Sequence, residues 1–239
     1  MSQHITRKEL KQDKFRQSIE HGAEAVISHK TFATVVIGLV AAIALVTGGW
    51  RIYTERRTVN AAAALDDASR VYNARIRAAG EPAEPGEITY PNVALKMQDA
   101  AAKFAAVGDK YPGTNPGQLA RYYAALCYES LERPHQALES LKKIEGSSDK
   151  ELAALAQYQS ATIYARTGKT DDAVKVYRAL AEKPSAFVPR SLALLELAAL
   201  LRTRNPKEAA DIYAQLKKEF PDTAIAEEAE RNLEVLPQS

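Results

Sequence analysis

A single cysteine, Cys127, stands among 239 residues. That excludes an intrachain disulfide framework and any zinc site built on several thiolates. Histidine is scarce as well. His4, His21, His29 and His135 include no pair at metal-ligand spacing with acidic partners, and they read as solvated side chains. Charge of one sign is missing too: 32 basic against 30 acidic residues leave +2, too little for the electrostatic footprint of a nucleic-acid binder. Arg7, Lys8, Lys11, Lys14, Arg16 and Lys30, with Glu9, Asp13, Glu20 and Glu24, are the charges of residues 1–50, and the remainder is balanced. No stretch alternates apolar and polar residues long enough to suggest a sheet.

The motifs of catalysis are incomplete. Gly168-Lys169-Thr170 matches the end of a GxxxxGK[ST] phosphate loop, but Ile163 stands where the leading glycine belongs and no strand precedes it. It reads as a turn between helices. Asp66-Asp67, Asp171-Asp172 and Glu227-Glu228 fall near helix starts or on exposed faces, and Asp171-Asp172 suits the positive end of a helix dipole. Cys127 lies in an apolar helix with no basic residue one turn away, which makes it a small buried hydrophobe, not a nucleophile. The expectation is a protein that is not an enzyme, with no cofactor, no metal and no small-molecule substrate.

What is present is globular: 46% hydrophobic and 26% charged residues argue against wholesale disorder. One segment, however, will not stay in water. Residues 31–50 (TFATVVIGLVAAIALVTGGW) carry no formal charge, and as a helix they span roughly 30 Å, the thickness of a bilayer's hydrocarbon core. Trp50 and Tyr53 stand at one end, where amphipathic rings favour the headgroup region. A buried core helix is usually shorter and keeps a polar stripe. A cleaved signal peptide would have a shorter apolar run and a prompt small-x-small site, whereas Ala61 to Ala63 follow only after Arg51, Arg56 and Arg57. An uncleaved single-pass anchor is the better reading.

Its orientation rests on two opposed signals. Arg16 and Lys30 precede the span closely, and Arg51, Arg56 and Arg57 follow it, a narrow count against an internal N-terminus. The six bases of the whole tail, costly to translocate, favour a cytoplasmic N-terminus with the C-terminal domain outside. The tail itself, residues 1–30, places Leu10, Phe15, Ile19, Ala23 and Val26 near helical spacing, as a surface-lying amphipathic helix or a solvated lead-in does.

Residues 51–79 are Ala-rich and free of Pro and Gly, which predicts a helical stalk. Residues 80–92 (GEPAEPGEITYPN) pack prolines and glycines too densely for a helix and are expected to loop. Beyond them, residues 93–239 repeat. Ala137, Ala173 and Ala209 fall 36 residues apart, as do Tyr128, Tyr164 and Leu200; Ala125, Ala161 and Leu197; Leu141, Tyr177 and Tyr213; and Ile144, Leu180 and Leu216. Each copy (about 117–149, 153–185 and 189–221) reads as helix, turn, helix. Such hairpins cannot bury their apolar faces alone and must stack. A small residue suits the helix crossing, and a large one fills the gap to the next hairpin. Phe104, Val107, Tyr111 and Pro112 match Tyr213, Leu216, Phe220 and Pro221, so 93–111 looks like the second helix of an incomplete hairpin, its first supplied by residues 58–79. Residues 223–236 look like a capping helix.

The order Ala161, Tyr164, Gly168, Ala173, Tyr177, with Pro221 closing the third copy, resembles the tetratricopeptide repeat. The period is 36 where that family has 34, and Glu132 stands where the second copy has Gly168. The fold class expected is all-α: one transmembrane helix followed by a tetratricopeptide-like α-hairpin solenoid. In that family the first helix of each hairpin lines a concave face. Carried over by register, this points to Tyr122, Leu126 and Glu129; Tyr158, Thr162 and Arg166; and Leu194, Ala198 and Arg202. These are not the Lys and Asn that clamp a terminal carboxylate in one branch of the family. They suggest an aromatic and aliphatic peptide groove, or side chains that simply pack within the solenoid.

Tail, anchor, stalk and repeats together resemble the membrane-anchored ancillary subunits of the bacterial Sec translocon. The resemblance implies an inner-membrane adaptor with a periplasmic domain, its partners the SecYEG channel and periplasmic chaperones or secreted clients. A scaffold for another envelope machine, in cell division or outer-membrane assembly, and a cytoplasm-facing scaffold stay open, as does an enzyme or the regulatory arm of one.

Overall fold

The uncharged run and the Ala-rich stretch after it form one helix, α1 (Lys30–Tyr72), of 43 residues. The computed structural model describes residues 30–77 and 85–236. The amphipathic tail (apart from Lys30), residues 78–79 at the end of the expected stalk and residues 80–84 of the loop lie outside the described residues. The chain divides after Arg56 into two compact units.

In the first unit every side chain from 34 to 53 is exposed, Leu45 by 77% and Val46 by 71%. One helix of the described residues is thus long and apolar enough to cross a membrane, with none of its apolar window covered by protein. Its hydroxyl at Thr47 is satisfied internally, donating to the Ile43 carbonyl at 2.8 Å, which is how a helix carries threonine at low cost in an apolar medium. The Trp50 and Tyr53 rings stand 6.3 Å apart.

In the second unit the remainder of α1 turns Ala61, Ala68 and Val71 into a core with Ala100, Ala101, Phe104 and Val107. The helix stops at Tyr72, short of the expected 79. Arg75–Ile76 (β1) leaves it to pair in parallel with Thr89–Tyr90 (β2), and the Arg77 N–H donates to the Tyr90 carbonyl at 2.9 Å. Lys96 Nζ adds a bond to the Ala74 carbonyl at 3.2 Å. These bonds satisfy backbone groups that helix propensity alone would have kept helical. The expected stalk and loop therefore meet in a two-residue ladder.

Eight helices follow: α2 (Val93–Lys110), α3 (Asn115–Ser130), α4 (Pro134–Lys142), α5 (Lys150–Arg166), α6 (Thr170–Glu182), α7 (Arg190–Leu201), α8 (Pro206–Glu219) and α9 (Ala224–Glu234). Their starts are written locally. Asn92, Thr114, Asp149, Asn205 and Thr223 each accept a hydrogen bond from the backbone N–H three residues on, a cap worth about 1 kcal/mol. Successive helices from α2 to α9 pack against one another, giving the hairpins α3–α4, α5–α6 and α7–α8 with α9 beyond them. All-α repeats thus make up the fold.

Four of the five 36-residue columns are core, and the fifth, Tyr128, Tyr164 and Leu200, is half-buried against it. Ala137, Ala173 and Ala209 are wholly buried, and Leu141, Tyr177 and Tyr213 fill the space beside them. Gly117, in the first turn of α3, leaves no room for a side chain: a Cβ there would lie 2.0 Å from the Tyr111 carbonyl oxygen that ends α2. The first hairpin turn is tight in a second way. Glu132, with φ of 55°, takes the left-handed conformation that Gly168 takes in the next hairpin with φ of 78°, so Glu132 adopts at some cost what glycine adopts freely.

Candidate groove on the first helices

The first helices α3, α5 and α7 carry eight of the nine residues singled out by register, with Arg202 at the C-cap of α7, but they do not form one open surface. Tyr122, Leu126 and Glu129 on α3, and Tyr158 and Thr162 on α5, are half-buried, while Arg166 and Arg202 are exposed. Leu194 and Ala198 on α7 are 6% and 0% exposed. They share a core with Ala229 of α9 and with Leu236, so the third repeat offers a partner little of that face. The expectation of groove residues at 194 and 198 is corrected accordingly. Where the second repeat has half-buried Tyr158 and Thr162, the third has wholly apolar side chains packed in one core with the cap.

Polar groups tie the remaining face together. The Glu129 side chain, 10% exposed, takes Arg166 Nη2 at 2.7 Å and also accepts from Gln159 Nε2. A carboxylate so buried needs such charge-assisted partners. Tyr158 donates its hydroxyl to Glu196 Oε1 at 3.0 Å and sets its ring edge against Tyr177, centroids 5.9 Å apart. Thr162 donates to the Tyr158 carbonyl at 3.1 Å, leaving its oxygen to accept from the Tyr177 hydroxyl at 3.0 Å. Toward α1 the aromatic contacts lead into the core: Tyr122 meets Tyr123 edge-on at 6.1 Å, and Tyr123 stacks on the buried Phe104 at 5.3 Å and lies 5.9 Å from Tyr72.

These phenols stay protonated. Burial, then the Glu196 charge and hydrogen bond, holds the Tyr158 hydroxyl far above the ordinary phenol range. Burial pushes Tyr177 up to about 12, and burial followed by the Glu129 charge raises Tyr122. Burial likewise raises the Cys127 thiol to about 12, with Lys96 a smaller opposing influence. Thiolate and phenolate, the reactive forms, are thus suppressed at neutral pH. Among the described residues no group of three His, Cys, Asp or Glu is placed to hold a metal ion. The face can donate and accept hydrogen bonds and cover apolar groups.

Sequence reasoning missed Glu196 and Gln159. Glu196 did leave a signal, as the one charge within the apolar run Ser191–Leu201. Gln159 left none, because its partner Glu129 lies on another hairpin.

The family model of the tetratricopeptide repeat-like domain matches residues 29–194. The chain belongs to the tetratricopeptide repeat-like family. A second model, of the tetratricopeptide repeat, matches residues 192–223, which takes in α8 and most of α7. A solved structure of similar shape is a putative kinesin light chain with nearly identical tetratricopeptide-like repeats from Podosopora anserina, at 15% identity and a TM-score of 0.47, covering 58% of this chain and 76% of that one. No curated protein matches. The tetratricopeptide repeats make protein–protein interaction the class of work this domain is suited to.

Proposed function

We propose that this protein is a membrane-anchored adaptor whose α3–α5 face holds a segment of another polypeptide. The observation that carries the reading is a pair of half-buried tyrosines on adjacent first helices, Tyr158 fixed by Glu196 and Tyr177 and Tyr122 set edge-on against Tyr123. Aromatic rings of few rotamers, held by the Glu196 and Tyr177 contacts, supply contact area at low entropic cost. The anchor is residues 31–50, and the family match beginning at residue 29 supports treating apolar helix and repeats as one working unit. The domain faces the periplasm of a bacterial inner membrane, the anchor sits beside the SecYEG channel, and the groove takes periplasmic chaperones or emerging clients. That assignment rests on the architectural resemblance and on the basic tail.

The test is site-specific photocrosslinking in intact cells. A crosslinker at Leu39 or Leu45 is expected to reach channel subunits, and one at Tyr122 a chaperone or a secreted chain. Crosslinks only to division or outer-membrane assembly proteins overturn the translocon assignment, and a cytoplasmic signal from a reporter fused after Ser239 overturns the orientation.

A further inference from the structure

Apart from the residues of the α3–α5 face, a second set of side chains surrounds the gap between α2 and α4, floored by α3. That gap is a cavity of 190 Å³ whose lining includes Asp109, Arg121, Tyr128, Ser140 and Lys143.

Arg121 is seated there at the expense of its hydrogen bonds. Its side chain is 13% exposed, and Nε is buried with no hydrogen-bond partner. Gly108 makes the seat possible, because a Cβ at that position would lie 2.4 Å from Arg121 Cγ. Arg121 Nη2 and Lys143 Nζ converge on the same oxygen, Asp109 Oδ1, each at 3.5 Å. That distance is longer than a good charge-assisted bond. Asp109 itself is 64% exposed, and Glu139, 3.8 Å from Lys143 and 63% exposed, stands at the rim. Two cations thus aim at a point where one carboxylate oxygen is loosely held, and a guanidinium built for bidentate pairing has a buried N–H left over. A water occupies roughly 30 Å³ in the liquid, so the cavity has room for a carboxylate and the stem that carries it.

We propose that this cavity takes a side-chain carboxylate from an acidic segment of a partner protein, with Arg121 and Lys143 as its cationic contacts and Asp109 as the group it displaces. The site is separate from the groove and does not depend on it. Asp109 then acts as a competitor, and its removal strengthens binding.

The test uses the full-length protein in lipid nanodiscs and follows the Arg121 Nε–H resonance during titration. The probe is a five-residue peptide, acetylated and amidated, with one central glutamate. Its controls are a glutamine twin, a free-acid peptide without glutamate, and inorganic phosphate. The glutamate peptide is expected to shift the resonance and the glutamine twin to leave it in place. Asp109→Asn should tighten binding at least threefold, and Lys143→Gln should weaken it at least threefold with helicity unchanged. The proposal is overturned by no response in wild type and Asp109→Asn alike, or by an equal response to the glutamine twin. Response only to phosphate or to the free C-terminus, or weaker binding in Asp109→Asn, overturns it as well.

Discussion

The Tyr177 hydroxyl lies 3.0 Å from Thr162 Oγ1, and one repeat later the same two positions hold Tyr213 and Ala198, where the buried Tyr213 hydroxyl has no partner. The same substitution should therefore act with opposite signs. Tyr177→Phe removes a satisfied bond and leaves Thr162 without its donor, at a cost of about 1 kcal/mol, whereas Tyr213→Phe removes an unsatisfied buried group and should stabilise by up to about 1 kcal/mol. Urea midpoints of the two variants decide it; parallel losses in both would show that the Tyr213 hydroxyl is as well satisfied as that of Tyr177, and the predicted difference in sign would fall.

How far the chain could be read in advance differs between its two ends. The columns at 137/173/209 and 141/177/213 were legible because burial imposes a size at each recurrence. The end of α1 at Tyr72 was not, since β1 depends on hydrogen bonds to Thr89–Tyr90, and no local pattern encodes a partner across a loop. The groove was half legible. Register places Tyr122 and Tyr158 on their helices, but whether a residue at that register surfaces depends on its own length and on what covers it, and Leu194 and Ala198 sink beside α9 and Leu236.

The left-handed turn residues give a second test. Glu132 adopts φ of 55° where its counterpart Gly168 has 78°. A side chain there costs roughly 1–2 kcal/mol, partly offset by the greater chain entropy glycine loses on folding. Glu132→Gly should raise stability by about 0.5–1 kcal/mol, and Gly168→Ala should lower it by about 1–2 kcal/mol. Thermal melts of both variants check the pair.

Alkaline pH probes the buried phenols. Tyr177 and Tyr90 are each raised from 10.0 to about 12, by burial first. A group whose folded pKa exceeds its unfolded one contributes stability that is complete below the unfolded value and is lost as pH climbs to the folded value. Stability should hold to about pH 9 and decline between pH 10 and 12. Absorbance at the phenolate band should show a late-titrating class of tyrosines, smaller by one in Tyr177→Phe. A single titration near pH 10 for all tyrosines would refute the burial seen here.

The ion pair between hairpins argues for a coupling larger than its surface setting suggests. Arg166 is 55% exposed, yet its partner Glu129 is 10% exposed and accepts from Gln159 as well. An ordinary exposed pair contributes between 0 and about 1 kcal/mol. Arg166→Ala, by contrast, strips a counter-charge from a carboxylate with little water around it, and a cost of about 1–2 kcal/mol is expected. Glu129→Gln in the same background should recover part of that loss, because an amide is less costly to leave without a cation. A double-mutant cycle over positions 129 and 166 measures the coupling. If the two single losses simply add, α3 and α5 are joined by their apolar contacts alone, and the polar frame assigned to the groove has no energetic reality.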